Sequence, residues 1–435
     1  MNPLTVIKNT LILMKVAAIL VWMKVILAVR VKMMVMSQRV TPMAMDGKKV
    51  KLSLPLVQPQ PRFTYVGNAA VNFVPDPDDS LLQYFNAIFD DELVDSIVTE
   101  TNRYASQCLG EASQSSANGR QRWHPTNSNE LRVFLAIIIL QGIVKKPELE
   151  LYWSKNLLLS TPFFRQAMSY RRLCKIKQYL HFSNNEDFDP ESHPNPKLYK
   201  VLPVYESLVN KFKTLYTPER DVSIDESPML YKGRLGWIHY IPLKRARFGI
   251  KTYMLCESDS GYVWNFVIYT GKGTQFDVEY DNLPVSSRVV MTLMKPLLDK
   301  GYCVTVDNYY TSPQLADLLV QHQTDIYGTV KPTRKEMPED LRKAKLKKGE
   351  VSAYERGKVT VLRWKDKKDV NLLSTIHNAE IVNVEKRGVV KSKPKLVLEY
   401  NNTMGGVDKV DQHLTDYPVP RKRGKKYYKK IFPPA

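Results

Sequence analysis

The sequence predicts an all-helical domain followed by an α/β core built on a mixed sheet. Three observations carry this. Between residues 80 and 215 apolar residues recur at helical spacing. From residue 222 onward short β-branched runs alternate with helical stretches, in the order strand, strands, helix, strand, helix, strand. Finally, Val222-Ser223-Ile224-Asp225 and Val304-Thr305-Val306-Asp307 read as strands ending in a carboxylate, and Gly405-Gly406-Val407-Asp408 reads as a glycine turn opening a helix.

Taken in order, residues 1–45 contain no acidic residue and hold eight of the fifteen methionines. Their longest uncharged apolar run, Val16 to Met23, is far short of the ~20 residues a bilayer span needs. Lys15, Lys24, Arg30 and Lys32 would each be costly at a bilayer centre, so no membrane span is expected. An acid-free basic start superficially resembles a transit peptide, but a low-complexity extension without a folded role is the preferred reading. Pro55, Pro59, Pro61, Pro75 and Pro77 then mark an extended linker, and residues 1–79 as a whole are expected to be disordered.

The helical domain, residues 80–215, begins with Leu81, Leu82, Phe85, Phe89, Leu93 and Ile97, with Asp90-Asp91-Glu92 as an acidic helix start. Leu131 to Ile143 is a second helix, with Ser128 and Glu130 as capping candidates. Pro162 to Leu180 supplies more helix, closed near the turn Asn184-Asn185. Arg120, Arg122, Arg165, Arg171, Arg172, Lys175 and Lys177 either track a DNA backbone or form an ordinary solvated face.

In the core, Thr252 to Glu257 and Tyr262 to Tyr269 flank the turn Asp259-Ser260-Gly261 and predict a hairpin. Val289 to Leu298 reads as a helix, Tyr302 to Val306 as a strand, Pro313 to Val320 as a helix and Asp325 to Val330 as a strand. The formal net charge of +20 favours polyanionic partners through phosphate contacts, although a membrane surface would also attract it. Cys108, Cys174, Cys256 and Cys303 are far apart, which excludes a dense disulfide framework and a sequence-local zinc knuckle and fits a reducing compartment.

Carboxylates delivered to one spot from separate elements suit a two-metal phosphoryl-transfer site, because oxygen ligands match Mg2+ and Mn2+. Taken singly, each aspartate reads more readily as a turn or cap. Asp225 precedes Glu226-Ser227-Pro228, Asp307 precedes Asn308-Tyr309-Tyr310, and Asp408 stands at a helix start with Asp411 one turn later. Spacing alone does not join them.

The words around them are more specific. Ser223-Ile224-Asp225-Glu226-Ser227, running on through Lys232-Gly233-Arg234 and Tyr240 to Lys251, strongly resembles piggyBac-type transposases. So do Val306-Asp307-Asn308-Tyr309-Tyr310-Thr311-Ser312 and Met404-Gly405-Gly406-Val407-Asp408-Lys409-Val410-Asp411-Gln412, and the likeness runs from about residue 80 to the last residue. The resemblance implies an RNase H-like core in which Asp225, Asp307 and Asp408 form the catalytic, metal-binding triad and Asp411 is an accessory ligand. It implies a two-metal Mg2+ or Mn2+ site, with no zinc expected. It further implies cut-and-paste transposition of double-stranded DNA at TTAA targets in the nucleus, with a homodimer as a possible assembly.

The family also places an insertion between its second and third aspartates, here residues 331–385, between the first part of the core (216–330) and the second (386–435). That insertion carries the basic run Lys343, Lys345, Lys347 and Lys348 and a strand at Val359 to Trp364. Tyr240, Lys244, Arg245 and Arg247 are expected phosphate contacts, with a solvated strand the equal reading for Arg245 and Arg247. The basic run Arg421 to Lys430 reads as a nuclear localisation signal or a phosphate-binding or solvated loop. Because the family pattern continues beyond Ala435, a core truncated at its C-terminus is expected, with apolar sheet surface uncovered. Two functional readings follow: a metal-dependent transposase, or a domesticated or truncated derivative that binds DNA without catalysis.

Overall fold

The computed structural model describes residues 49–50, 59–76, 82–110, 123–231, 233–241, 248–386, 388–417 and 426–431. Two short strands, β1 (Lys49–Val50) and β2 (Ala70–Val71), precede the helices α1 (Leu82–Ile88), α2 (Asp91–Leu109), α3 (Ser128–Ile143), α4 (Pro162–Ala167), α5 (Tyr170–Tyr179) and α6 (Leu202–Leu215). Their starts are set by side chains that accept an orphan N–H: Asp90 from Leu93 at 3.0 Å, Asn127 from Glu130 at 2.9 Å and Ser169 from Arg172 at 3.2 Å. The cap of α3 is thus Asn127, one residue before the Ser128 expected from sequence. Ser128 donates instead to Asp95, and Glu130 pairs with Arg172. α3 is apolar almost all round, and Leu131, Phe134, Leu135 and Ile137 lie at the centre of the helical core.

His181, 1% exposed, stacks on Tyr104 at 4.1 Å and meets the side-chain oxygen of Asn185 through Nε2 at 3.0 Å. Tyr428, in the short closing helix of the described chain, sets its ring edge against His181 at 5.2 Å. Lys429 beside it donates to the carbonyl of Lys177 at 2.6 Å, in the last turn of α5.

The remaining elements are β3 (Tyr216–Thr217), β4 (Asp221–Leu230), β5 (His239–Tyr240), β6 (Phe248–Glu257), β7 (Val263–Ile268), α7 (Val285–Met294), β8 (Cys303–Val306), α8 (Pro313–Gln321), β9 (Asp325–Thr329) and α9 (Glu339–Lys343). They are followed by β10 (Val351–Arg356), β11 (Val359–Lys365), β12 (Asp369–Ser374), β13 (Ile381–Lys386), β14 (Val389–Pro394), α10 (Lys395–Thr403), α11 (Gly406–Asp416) and α12 (Tyr428–Ile431). One large sheet has the order β1-β10-β11-β12-β9-β8-β4-β6-β5, with β7 also paired to β6. Its centre, β7-β6-β4-β8-β9, joins three antiparallel strands to two that run parallel to β4. That is the RNase H-like arrangement within a mixed α/β fold. β10 to β12 extend the same sheet outward from β9, so this part of 331–385 is continuous with the core sheet. β13 and β14 form a separate hairpin.

Two expectations need correction. β4 does not end at Asp225 but continues through Pro228 to Leu230, because β6 pairs with it along that length. Its pairing with β8 stops at Ile224, leaving beyond it the open edge on which a proline's missing N–H is tolerated. Second, residues 59–76 are not a loose linker. Arg62 pairs with Asp221 at 3.0 Å, the Phe63 N–H donates to Asp325 at 3.0 Å, and Tyr65 packs edge-on against Tyr302 at 5.0 Å. The segment that begins with Pro59 and Pro61 is an extended strap across the starts of β4, β8 and β9.

Burial first, then the cations Lys200, Lys426 and Lys429, push the His181 imidazole down to about 4 against the Asn185 hydrogen bond. Since this lies below the ordinary 6.5, the unfolded chain takes up the proton first. The stability from neutral His181 is therefore complete above pH 6.5 and is lost as pH falls toward 4. The effect is on the order of 3 kcal/mol. His181→Phe keeps the stack and removes the titration, so its melting temperature is expected to fall less than that of the wild type between about pH 6.5 and 4.5. Parallel melting curves against pH would reject the assignment.

Candidate active site

The alternation of strand side chains decides which carboxylates meet. Val222 and Ile224 of β4, with Val304 and Val306 of β8, point to a buried core shared with Val289, Val290 and Leu293 of α7 and Leu315 and Leu319 of α8. Ser223, Asp225 and Ser227 therefore face the other way, as do Cys303, Thr305 and Asp307. The parallel register ends at Ile224 opposite Val306. Asp225 and Asp307 each follow directly on that last pair, on the same face of the sheet.

α10 and α11 lie over this face. Thr403 near the end of α10 meets Thr305 at 2.9 Å and the Tyr327 hydroxyl at 2.8 Å. Gly406 at the start of α11 is pressed against β4 and β6: a Cβ there would stand 2.4 Å from Ser223 Oγ and 3.1 Å from the Glu257 carbonyl. Further along, Ser227 Oγ donates to Asp411 Oδ1 at 2.6 Å. α11 is thus laid along β4 between Ser223 and Ser227, and Asp408 stands in its first turn, before Asp411.

Tyr400 of α10 stands in the field of this face. Burial raises the proton affinity of its hydroxyl, and the negative charges of Asp307, Asp225 and Asp408 add to that, with a hydrogen bond to Thr329 opposing. The same face acts on Cys256, whose thiol is pushed up by burial and then by Asp411 and Asp225. Asp307 itself is raised above the ordinary carboxylate range. Burial and the charge of Glu226 raise it, while the N–H groups of Tyr309 and Tyr310 and the cation of Lys331 oppose them. The turn role weighed for Asp307 is real, since it accepts the Tyr309 N–H at 2.8 Å. It does not cap α8, whose cap is Ser312 accepting from Leu315 at 3.1 Å. Likewise, Gly405 rather than Asp408 occupies the N-cap of α11.

The other expected contacts are dispersed. Tyr240 is 55% exposed on edge strand β5. Lys343, Lys345, Lys347 and Lys348 are exposed at the end of α9 and before β10, and Lys343 pairs with Glu339 at 2.7 Å. Between β10 and β4 lie β11, β12, β9 and β8, so this lysine run is not gathered with the aspartates. Lys244, Arg245 and Arg247 lie outside the described residues. Sequence reading placed Ser227 and Gly406 within the motifs without giving either a contact, and it passed over Tyr400. A signal existed for Ser227, two residues beyond Asp225 and therefore on its face; Tyr400 had none without the path of α10.

Asp225, Asp307, Asp408 and Asp411 offer the hard oxygen donors that Mg2+ and Mn2+ take, and their mutual repulsion favours a cation between them. The four therefore fit a divalent metal. Among the described residues, the group whose ligand atoms all lie within 4.8 Å of one another is a different one: Glu219, Glu257 and Asp259. Glu257 there is already engaged, accepting the Ser260 N–H at 2.8 Å in the turn after β6. A two-metal site spans a wider set of oxygens than this spacing, because the ions themselves are ~3.5–4 Å apart. Among the described residues no helix is long and apolar enough to cross a membrane.

A family model described as Transposase IS4, of the DDE type, matches residues 81–433. PiggyBac transposable element-derived protein 2 of Homo sapiens is 28% identical over 359 residues, covering 79% of this chain and 57% of its own length. PiggyBac transposable element-derived protein 3 of Homo sapiens is 28% identical over 354 residues, covering 78% and 56%. The chain thus spans little more than half the length of these relatives. Among solved structures, a cryo-EM structure of a piggyBac transposase synaptic complex with hairpin DNA matches with a TM-score of 0.70 and 28% identity, covering 80% of this chain and 70% of its own. Fold and family model together define the class, the DDE-type transposases, a class that uses divalent metal. Within it, the chain belongs to the piggyBac-type family.

The seating of α11 on β4 is open to a direct test. Gly406→Ala is expected to cost about 2 kcal/mol, because the new methyl meets Ser223 Oγ. Removing that oxygen in Ser223→Ala/Gly406→Ala should restore most of the loss, so chemical denaturation of the two single variants and the double variant would show strong non-additivity. Additive losses would mean that the Ser223–Gly406 contact does not seat the helix.

Proposed function

We propose that the chain binds double-stranded DNA and cleaves and rejoins phosphodiesters through Asp225, Asp307 and Asp408, with Asp411 as accessory carboxylate. The supporting observation is the common face: Asp225 and Asp307 follow the last β4–β8 pair on the side that α11 covers, where Ser227 holds Asp411 and Gly406 meets Ser223. Mg2+ or Mn2+ held by these four would supply charge neutralisation at the phosphate and an acidified water. The chain's own groups fix the geometry. The β4–β8 register sets the separation of Asp225 and Asp307, the Tyr309 N–H orients the Asp307 carboxylate, and Ser227 orients that of Asp411.

In this reading a water or a 3′-hydroxyl attacks phosphorus in line. One P–O bond forms as the bond to the leaving 3′-oxygen breaks, and the nucleophile's proton passes to solvent. No side-chain nucleophile takes part. Transposon ends flanked by TTAA are the proposed substrate, the nucleus the proposed compartment and a homodimer the proposed assembly. A net charge of +20 supports the choice of DNA. A second reading is a derivative that binds DNA without cleavage; the human relatives are themselves named as transposable element-derived proteins.

Purified protein incubated with Mg2+ or Mn2+ and duplex DNA carrying TTAA-flanked ends is expected to nick that DNA. Asp307→Asn should reduce nicking at least ~100-fold while leaving salt-sensitive DNA binding in place. Equal nicking by the variant would remove Asp307 from the site. Binding with a steep salt dependence but no metal-dependent nicking in the wild type would select the second reading.

A further inference from the structure

Tyr240 and Phe248 are 55% and 51% exposed, although they are large aromatic residues in sheet strands. They form the last registered pair of β5 and β6, and their rings lie 4.6 Å apart with planes inclined by 34°. An exposed, tilted pair of rings in contact at a sheet edge gains little from water.

The strand register places this pair on the face of the aspartates. Met254 of β6 stands opposite Asp225, Thr252 opposite Ser227 and Ile250 opposite Met229. Phe248 is the next residue in that alternation, level with Tyr231, whose N–H donates to the Phe248 carbonyl at 3.2 Å. Tyr231, just beyond the end of β4, is six steps along the extended chain from Asp225, which is about 20 Å. That is about six nucleotide steps along a stacked strand.

We infer that the Tyr240–Phe248 pair is a stacking platform for a DNA base that has left its own stack, about six nucleotides from the scissile phosphate. The inference rests on the reading of the chain as a DNA-binding protein and adds to it the form of DNA preferred there. Every base has a π-face, so the platform favours an unpaired base over a paired one without reading sequence. Two rings already in contact lose little freedom on receiving a third.

The probe is a duplex containing one unpaired 2-aminopurine six nucleotides from a TTAA junction, compared with the fully paired duplex, both without divalent metal. The wild type is expected to bind the unpaired probe more tightly and to quench its fluorescence. In Tyr240→Ala and Phe248→Leu the preference for unpaired over paired DNA should fall about tenfold, and the quenching should disappear. Tyr240→Trp should retain both, and melting curves identify any variant that fails to fold. An unchanged preference, or quenching that survives in Tyr240→Ala/Phe248→Leu, overturns the inference while leaving duplex binding and nicking as evidence for the proposed function. Failure of the wild type to bind either DNA overturns both.

Discussion

The site depends on one close contact, the seating of α11 directly on the backbone of β4 and β6. A helix normally stands off a sheet by the thickness of two layers of side chains. Here Gly406 removes one layer, so that the helix start comes down onto Ser223 and the Glu257 carbonyl. The same constraint recurs at Gly261, which adopts a positive φ of 74° and leaves no room for a side chain beside Gly406 and Lys409. Lys409 then bonds the Ser258 carbonyl at 2.9 Å, fastening the helix to the turn beneath it. Only with the helix this low does a carboxylate in its first turn reach the level of those on the strands.

Such a gathering of negative charge opposes folding. Asp307 is partly desolvated with Glu226 nearby, and Tyr310, Tyr400 and Cys256 all hold their protons more firmly, first through burial and then through the surrounding carboxylates. The compensation comes from elsewhere. The face behind β4 and β8 is buried and apolar, and Lys251 pairs with Glu226 at 2.9 Å while lying over the rings of Tyr253 and Tyr309. On the far side, Arg62 of the strap ties Asp221 of β4 to Glu399, the residue before Tyr400. The acidic face is thus held by groups that do not themselves reach its carboxylates.

The sheet was legible because its strands are short, β-branched and separated by turn residues, and the helices because their periodicity and caps are local. Asp307 was legible as a strand-end residue. Asp225 was misread, because where β4 ends depends on its partner β6 and not on its own sequence. The strap was misread for a related reason: proline content describes a chain's stiffness and says nothing of what Arg62 and Tyr65 touch 150 or more residues away. Convergence of the aspartates was not contained in their spacing. It follows from pleat alternation combined with the descent of α11, and only the second of these needs tertiary structure.

The distribution of charge separates two tasks that the sequence had run together. Lys345, Lys347 and Lys348 stand exposed by β10, while Tyr240 marks the opposite edge of the sheet order beyond β6. Cations so far from the carboxylates do not contribute to the reaction at phosphorus, because at that range exposed charges are screened within about one Debye length, ~8–10 Å. Such cations act only on a ligand that is itself extended and charged along its length. A small phosphorylated substrate would use the aspartates and leave both edges idle. A duplex crossing the sheet would engage the acidic face and both edges together, and the span between them is then a property of the substrate as much as of the protein.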